Sequence, residues 1–176
     1  MFGTFARNIA LIGQLKTNQN VQYDPAKFTW LGSSSSLAND AYILLVRRDA
    51  KVKSIEDARR ADGPPLILGS TAEGASSDAM GVLLREWLGF NLKVIPGYTD
   101  SGVLFLAIER GEIHGSGSAS FEYVAGKGWL DKKLARLFFT IGLSRGAKAP
   151  DSPTVIELAR DERGRNIMRL TASASE

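Results

Sequence analysis

Apolar and polar positions form two recurring patterns along this chain, and together they predict an α/β fold. Between stretches of apolar residues spaced three and four apart, as in amphipathic helices, lie near-continuous apolar runs typical of strands buried on both faces. Such runs occur at residues 41–46, 66–68, 92–95 and 134–141, with shorter strands predicted at 28–31 and 113–118. Because strands alternate with helices, we expect a mostly parallel sheet flanked by helices.

The stretch at residues 66–89 predicts a strand, a loop of small and hydroxyl residues, and an amphipathic helix. The apolar face of this helix comprises Met80, Leu83, Leu84, Trp87 and Leu88. Ser76 or Ser77 suits an N-terminal cap, and Gly89 suits a left-handed C-terminal cap. Such a unit directs backbone N–H groups and the positive end of a helix dipole at one point, which suits an anion. An ordinary strand-to-helix connection has the same pattern, so both interpretations stay open.

Further helices are predicted from capping residues and from glycines that end helices. They run over residues 4–16, 55–61 and 101–110, a helical turn follows residue 120, and another helix begins with the capping box at 154–157. The four serines at residues 33–36 are expected to form a flexible loop, and the polar tail at 171–176 is expected to fray.

Composition excludes some kinds of site. The 176 residues carry 22 Lys and Arg against 19 Asp and Glu, a net charge of +3, but the basic residues are scattered. We therefore expect no nucleic-acid binding. The absence of cysteine excludes disulfides and thiolate metal ligands. No apolar run approaches the ~20 residues that span a bilayer. The residues after Met1 lack a signal-peptide pattern, so the chain as written is not expected to be exported.

Signatures of catalysis and of cofactor binding fail when their context is checked. Residues 142–146 match G-x-S-x-G after a strand, but no helix is predicted to follow, and the only histidine, His114, precedes Ser144. We interpret the lone His114 as a structural residue rather than a base or a metal ligand. No cluster of His, Cys or carboxylate residues has metal-ligand spacing, and no glycine-rich segment completes a nucleotide motif. We predict no catalytic residue, no metal and no cofactor.

Five sequence segments, which occur in the same order as in a known family, are the basis of a resemblance to that family. They are residues 24–33 (DPAKFTWLGS), 69–77 (GSTAEGASS), 97–98 (GY), 106–115 (LAIERGEIHG) and 149–158 (APDSPTVIEL). Over nearly all of residues 3–170 the chain resembles the tripartite tricarboxylate transporter receptors, the Bug or TctC-like solute-binding proteins. The resemblance implies a periplasmic protein with a type II binding-protein fold. In that fold two α/β lobes close over a small carboxylate, which is passed to a membrane permease.

The resemblance also implies that this chain is a fragment, because members of the family are considerably longer. Residues 1–41 would be a partial segment of lobe one, residues 42–141 lobe two nearly whole, and residues 142–176 a return segment towards lobe one. With part of a lobe missing, the apolar strands at 41–46 and 134–141 would be uncovered. We therefore expect a dimer or higher oligomer in which these strands pair across chains.

Carried over to this sequence, the family's ligand loops name nine candidate binding residues. They are Ser34, Ser70, Thr71, Gly74, Ala75, Ser76, Tyr98, Ser101 and Gly102. The loop at residues 69–77 would contact a carboxylate through backbone N–H groups and hydroxyls, and the turn at residues 98–102 would supply further donors. The sequence departs from the family at Ala72, where glycine is usual, and at Glu73, which adds a negative charge. Tyr98 is equally compatible with a packed core aromatic residue.

Two alternatives to a carboxylate receptor use the same pattern. The two-lobed fold also forms the effector-sensing domain of LysR-type regulators, a reading that would require a helix-turn-helix upstream. A truncated, non-functional receptor that still folds is the other alternative. We predict a solute-binding receptor, or a fragment of one, that binds a small organic carboxylate for a tripartite tricarboxylate-type transporter.

Overall fold

The structure, a computed structural model, describes residues 22–32 and 41–173. The predicted helix at residues 4–16 and the serine loop at 33–36, with the candidate residue Ser34, lie outside the described residues. Within those two ranges no helix is both long enough and apolar enough to cross a membrane.

The described chain forms one five-stranded mixed sheet. The strands are β1 (Tyr42–Arg47), β2 (Leu66–Gly69), β3 (Leu92–Ile95), β4 (Gly115–Ser120) and β5 (Ala135–Ile141), in the order β3-β2-β4-β1-β5. Strand β2 pairs in parallel with β3 and β4, whereas β1 is antiparallel to both β4 and β5. Four of the five strands therefore share one direction, which confirms the predicted mostly parallel α/β sheet.

Helices cover both faces of the sheet. They are α1 (Ile55–Arg59), α2 (Ser76–Leu88), α3 (Ser101–Arg110), α4 (Phe121–Gly126) and α5 (Glu162–Ser173). Helices α2 and α5 pack with α1 in one hydrophobic cluster, and α3 and α4 pack in a second cluster. Successive strands that send their helices to opposite faces leave a crevice at the carboxyl edge of the sheet, where α/β proteins bind ligands.

The continuous apolar run of β1 is explained by its central place between the two clusters. Leu44 and Val46 belong to the cluster under α2, whereas Ile43 and Leu45 belong to the cluster under α3, and all four are fully buried. A strand buried on both faces needs apolar residues at every position rather than at alternate ones. The prediction of a strand at this run is confirmed.

The strand predicted at residues 28–31 is wrong. A 3-10 helix, Pro25–Lys27, forms just before it, and the Asp24 side chain accepts a hydrogen bond from the Ala26 N–H group (3.0 Å). Pro25 favours this turn because its ring fixes φ near the helical value and its missing N–H group is not needed there. The residues that follow have no strand partner within the described chain.

The helix predicted to begin at the 154–157 capping box is also wrong. The Thr154 hydroxyl does accept a hydrogen bond from the Glu157 N–H group (3.2 Å), as in a capping box. However, the Thr154 backbone forms a parallel bridge with Thr140 of β5, and turns follow instead of a helix. The next helix is α5, which also includes residues 171–173 of the tail expected to fray.

The sheet edges differ from those assumed in the expectation of cross-chain pairing. Strand β1 is interior, because β4 and β5 flank it on both sides, so its backbone is unavailable to a second chain. Strand β5 lies at one edge, where Thr140 is bridged to Thr154, and β3 lies at the other. Association into an oligomer remains a prediction, which light scattering can test.

Candidate functional site

Two loops meet at the carboxyl edge of the sheet and form one continuous wall. The loop from β2 to α2 and the turn from β3 to α3 follow adjacent parallel strands. The Ser70 N–H group donates to the Ile95 carbonyl (2.9 Å), and the Tyr98 N–H group donates to the Ser70 carbonyl (3.2 Å). These bonds join the two loops at the same edge of the sheet. Besides Ser70 and Tyr98, the two loops include six more of the predicted site residues. They are Thr71, Gly74, Ala75, Ser76, Ser101 and Gly102.

A buried pair of hydroxyls fixes the β2–α2 loop. Ser70 is fully buried, and its hydroxyl donates to the Ala72 carbonyl (2.9 Å) while accepting a hydrogen bond from the Ser77 hydroxyl (3.0 Å). Most buried hydroxyls in proteins have such partners. In this arrangement Ser70 and Ser77 therefore hold the loop against the first turn of α2.

The N-terminus of α2 has no side-chain cap, contrary to the prediction that Ser76 or Ser77 supplies one. The N-cap residue is Ala75, whose methyl group cannot accept a hydrogen bond, and Ser76 is already helical. The first helical bond runs from the Ala79 N–H group to the Ala75 carbonyl (2.9 Å), so the first-turn N–H groups before it lack an intrahelical acceptor. The hydroxyls of Thr71 and Ser76 form no hydrogen bond to any described residue.

Gly74 closes the loop just before this helix. Its φ of +75° lies in the left-handed region that favours glycine, and a Cβ atom there would meet open space. Its N–H group donates to the Asp78 carboxylate (2.8 Å), which reaches back from the first turn of α2. One of the predicted donors is therefore engaged by the protein's own carboxylate, a feature that sequence reasoning missed.

The N-terminus of α3 is capped by Asp100. The Asp100 carboxylate accepts a hydrogen bond from the Val103 N–H group (2.9 Å), and a Cβ atom on Gly102 would lie 3.0 Å from the same oxygen. Ser101 and Gly102 are exposed beside it. The second predicted set of donors is thus partly satisfied within the protein. The pattern Asp-x-x-Val ahead of an apolar helix could have revealed this cap.

Tyr98 packs between the two loops. Its ring contacts the cluster under α3, and a Cβ atom added to Gly69 would lie 3.1 Å from the ring and 2.4 Å from Ile113 Cδ1. Burial, with a smaller contribution from Glu112, raises the pKa of the Tyr98 hydroxyl. That hydroxyl has no hydrogen-bond partner in the described part of the chain. The packed interpretation of the ring fits these contacts, and ligand contact by the hydroxyl remains a proposal.

Strand β4 approaches the site closely because its residues are small. A Cβ atom on Gly117 would lie 3.3 Å from the Ser77 carbonyl oxygen, so α2 begins directly against this strand. The register between β1 and β4 shifts at the same level, and half-buried Ser118 lies at the shift. Register shifts of this kind, which are β-bulges, are common beside binding sites. The run of small residues at 115–120 (GSGSAS) is the sequence feature that could have indicated this close approach.

His114 is structural, as its isolation in the sequence suggested. The backbone N–H group of Ile67 donates to His114 Nδ1 (3.0 Å), and the backbone N–H group of His114 donates to the Ile67 carbonyl (2.8 Å). Burial and the nearby Arg47 guanidinium lower the pKa of His114, partly offset by Asp49. The imidazole therefore joins β2 to the start of β4, at the sheet edge opposite the loops.

A cleft of about 360 Å³ lies at that opposite edge, between the end of β1, the end of α3 and the start of β5. Arg47 in its wall donates to the Ile108 and Glu109 carbonyls at the end of α3 and pairs with Asp49 (Nε–Oδ1 2.8 Å). This ion pair holds the pKa of Asp49 below its ordinary value. Arg47 thereby stabilises the C-terminus of a helix, and the cleft contains none of the predicted binding residues.

The G-x-S-x-G segment does not form the strand–turn–helix arrangement of a nucleophile elbow. Ser144 is exposed in a segment of turns, no helix follows it before residue 154, and Arg145 pairs with Glu157 (2.7 Å). This pairing lowers the pKa of the Glu157 carboxyl. Among the described residues no group of three or more His, Cys, Asp or Glu side chains could hold a metal ion.

Comparison with solved structures finds the same fold in solute-binding proteins. A TctC solute-binding protein from Polaromonas, crystallised without ligand, is similar at 16% identity and a TM-score of 0.55, over 78% of this chain and 53% of that one. The periplasmic binding protein BugD is similar at 20% identity and a TM-score of 0.56, over 74% of this chain and 42% of that one. MatC from Rhodopseudomonas palustris, with bound malate, is similar at 18% identity and a TM-score of 0.55, over 96% of this chain and 59% of that one.

These similarities confirm the predicted fold, that of TctC and Bug solute-binding proteins. The chain spans between about two fifths and three fifths of the length of these three proteins. No protein-family model matches the sequence, and a search of curated proteins finds no significant match.

Proposed function

We propose that this chain is the ligand-binding part of an extracytoplasmic receptor that binds a small organic carboxylate without transforming it. The observation that carries the proposal is the uncapped N-terminus of α2, where Ala75 leaves first-turn N–H groups without a side-chain acceptor. Backbone N–H groups and the positive end of a helix dipole favour an anion at that point. A planar carboxylate can accept several such hydrogen bonds at once.

The surroundings of this helix end support the same ligand class. The hydroxyls of Thr71 and Ser76 and the hydroxyl of Tyr98 are potential donors without partners among the described residues. The site lies at the carboxyl edge, beside adjacent strands whose helices leave towards opposite faces. The fold is one in which MatC holds malate.

The transport role belongs to the same proposal. A receptor of this fold would work in the periplasm and deliver its ligand to the permease subunits of a tripartite tricarboxylate-type transporter. The division into a partial lobe one (1–41), a lobe two (42–141) and a return segment (142–176) is also part of the proposal. Residues 69–77 and 98–102 would then form the lobe-two side of the cleft, with Ser34 on the other side.

The substitution Ala75→Asp tests the role of the uncapped α2 N-terminus, because it places one of the protein's own carboxylates where the ligand is proposed to bind. Asp is among the best N-cap residues, and the φ of −62° and ψ of 159° at Ala75 suit a cap. We expect the free energy of unfolding to rise by about 1 kcal/mol. Affinity for carboxylates, measured by isothermal titration with acetate, succinate and malate, should fall at least tenfold.

The matched control is Ala72→Asp, which adds the same charge to the same loop at an exposed position that does not cap the helix. We expect this variant to keep most of the carboxylate affinity and to gain no stability. If the Ala75→Asp variant binds carboxylates as tightly as the unchanged protein, the α2 terminus is not the site. If the unchanged protein binds none of the panel, the receptor proposal fails.

A further inference from the structure

The cleft at the sheet edge opposite the two loops combines an apolar lining with an excess of positive charge. Its volume of about 360 Å³ is in the range of small-molecule sites, which are mostly apolar with a few polar groups. Four apolar residues line it, together with three basic and two acidic ones. A ligand that matches this lining has both an apolar part and a negative charge.

Two of the three basic side chains have no ionic partner in the described part of the chain. Arg47 pairs with Asp49 (Nε–Oδ1 2.8 Å) and donates to the Glu109 carbonyl at the end of α3 (2.9 Å). The side chains of Arg48 and Lys133 form no ion pair or hydrogen bond with any described residue. The Glu109 carboxylate is the one unpaired acidic group of the lining. The unpaired groups therefore carry two positive charges against one negative charge, which favours an anion.

Lys133 is held in an unusual backbone conformation. Its φ of +55° lies in the left-handed region, and no other non-glycine residue of the described ranges has a positive φ. Glycine or asparagine would adopt this conformation at lower cost than lysine. Strained residues of this kind are found preferentially at functional sites. The retention of a lysine at this position supports a role for its side chain.

Trp129 provides a hydrogen-bond donor in the lining. The residue is only 5% exposed, and its ring packs edge-on against Phe105 (centroids 5.6 Å apart). Its indole N–H group forms no hydrogen bond with any described residue. Among those residues, only Arg136 Nε and Thr140 Oγ1 are enclosed without a partner, so the indole N–H group is open to solvent. Because buried indoles usually have a partner, this donor is available to a ligand in the cleft that Trp129 lines.

Backbone hydrogen bonds join the cationic and the apolar parts of the lining. The Arg48 N–H group donates to the Leu134 carbonyl (2.9 Å), and the Leu134 N–H group donates to the Trp129 carbonyl (2.8 Å). A binding site needs this kind of support from connected backbone. The Leu134 side chain is 56% exposed and adds apolar surface beside the charges.

We infer that this cleft is a second ligand site, which binds an amphipathic organic anion with one acidic head group and an apolar body. The head group would pair with Arg48 and Lys133 and accept a hydrogen bond from the Trp129 indole, since charge-assisted hydrogen bonds are the strongest available there. The apolar body would pack against the Trp129 ring and Leu134. This site lies at the opposite edge from residues 69–77 and does not depend on the function proposed for them.

Fluorescence of Trp129 tests the site locally. The substitutions Trp30→Phe and Trp87→Phe in the full 176-residue chain leave Trp129 as its only tryptophan. Titration with hexanoate should change the Trp129 emission and saturate. Hexanamide, which lacks the charge, should bind about tenfold more weakly. Propionate, which has a shorter apolar body, should also bind about tenfold more weakly.

The variants Lys133→Asn and Arg48→Gln remove one charge each, and asparagine also suits the left-handed conformation at residue 133. Each should weaken hexanoate binding by about fivefold or more, because a charge-assisted hydrogen bond is lost. The matched control is Lys132→Asn, which removes the neighbouring exposed charge that does not line the cleft. This control should bind hexanoate as the parent chain does.

The titration is repeated in the Ala75→Asp variant, where the proposed site at α2 is blocked. An unchanged Trp129 response there assigns hexanoate to the cleft, whatever the fate of the receptor proposal. Sedimentation with phosphatidylglycerol vesicles distinguishes a lipid-borne anion from a free one: vesicle binding that Lys133→Asn abolishes would assign a lipid head group. The second site is overturned if neither hexanoate nor vesicles bind, or if Lys133→Asn and Arg48→Gln bind as tightly as Lys132→Asn.

Discussion

The helices α2 and α3 begin side by side at one edge of the sheet, yet their first turns are completed differently. Helix α2 starts at Ala75 with no side-chain acceptor, whereas α3 starts at Asp100, whose carboxylate takes the Val103 N–H group. The short helices α1 and α4 are also capped, by Ser54 and Ser120. A missing cap costs stability, about 0.5–2 kcal/mol for a helix.

This contrast separates two uses of the same local geometry. Capped ends stabilise the fold, because their N–H groups are satisfied within the protein. The uncapped end of α2 leaves its first-turn N–H groups without a side-chain acceptor, as the proposed site requires, and its loop is held in place by the Ser70 and Ser77 hydroxyls. Rigid support behind unsatisfied donors is what a binding site requires.

The largest effect is expected from Gly69→Ala, which disturbs both helix starts at once. The added methyl group would lie 2.4 Å from Ile113 Cδ1 and 3.1 Å from the Tyr98 ring, and Ile113 is 1% exposed and cannot easily move. Overpacking of this kind costs typically about 1–3 kcal/mol. We expect a loss in that range by chemical denaturation, together with weakened carboxylate binding, because the two loops would be pushed apart.

The comparison variant is Gly74→Ala, where the methyl group meets open space and only the φ of +75° opposes it. Its cost should be roughly 1 kcal/mol, from backbone strain alone. If Gly69→Ala proves no more destabilising than Gly74→Ala, the close contact of the two loops at Tyr98 is contradicted.

A smaller effect is expected from removing the cap of α3. Asp100→Ala should lower the free energy of unfolding by about 1 kcal/mol, since Val103 N–H loses its acceptor. The sign is opposite to that expected for Ala75→Asp, and the double variant should return close to the stability of the unchanged protein. Urea denaturation of the three variants measures this directly. Destabilisation by both single substitutions would show that the two helix ends are not distinguished by capping.

The smallest effect is expected from pH, through His114, which joins β2 to the start of β4 at the sheet edge opposite the two helix starts. Its pKa is lowered in the folded protein from the ordinary value of 6.5, mainly by burial and then by Arg47, with Asp49 opposing the shift. Below pH 6.5 the unfolded chain therefore takes up a proton before the folded protein does, and stability falls as pH decreases from 6.5 towards the lowered pKa. Stability that depends on neutral His114 is fully present above pH 6.5.

One titrating group can change the free energy of unfolding by at most about 1.4 kcal/mol per pH unit. Because His114 is only half-buried, we expect the decrease to be smaller than this limit. Thermal melts between pH 7.5 and 5.5 should show it, and His114→Asn should flatten the curve. The asparagine oxygen can replace Nδ1 as acceptor for the Ile67 N–H group but does not titrate. An equally steep pH dependence in His114→Asn would assign the effect to other groups.

Features that depend on a few neighbouring residues were predictable from the sequence. The apolar runs located β1, β2, β3 and β5, and Gly89 and Gly111 end their helices in the left-handed region, with φ of 68° and 83°. The Ser54 cap of α1 was also predicted and is present, with its side chain accepting from the Asp57 N–H group. In each case the determining contacts lie within about four residues along the chain.

Two of the misses share a different cause, which is a hydrogen-bond partner outside the local helical turn. Thr154 has the local pattern of a helix start, but the bridge to Thr140 takes its backbone into the sheet edge instead. Ser77 was a candidate cap for α2, but its hydroxyl is drawn to buried Ser70 across the loop. Long-range partners that satisfy the same polar groups override a local preference.

The sequence by itself thus determined the α/β class, the positions of most strands and helices, and the small-residue loop at 69–77. Only the tertiary structure decided that β1 runs against its neighbours in the interior of the sheet, and that the two loops join through Ser70, Ile95 and Tyr98. It also decided that α2 alone of the adjacent pair keeps unsatisfied donors. Periodicity and capping reflect forces along a few residues of chain, whereas strand direction and hydroxyl partners are set by packing between distant segments.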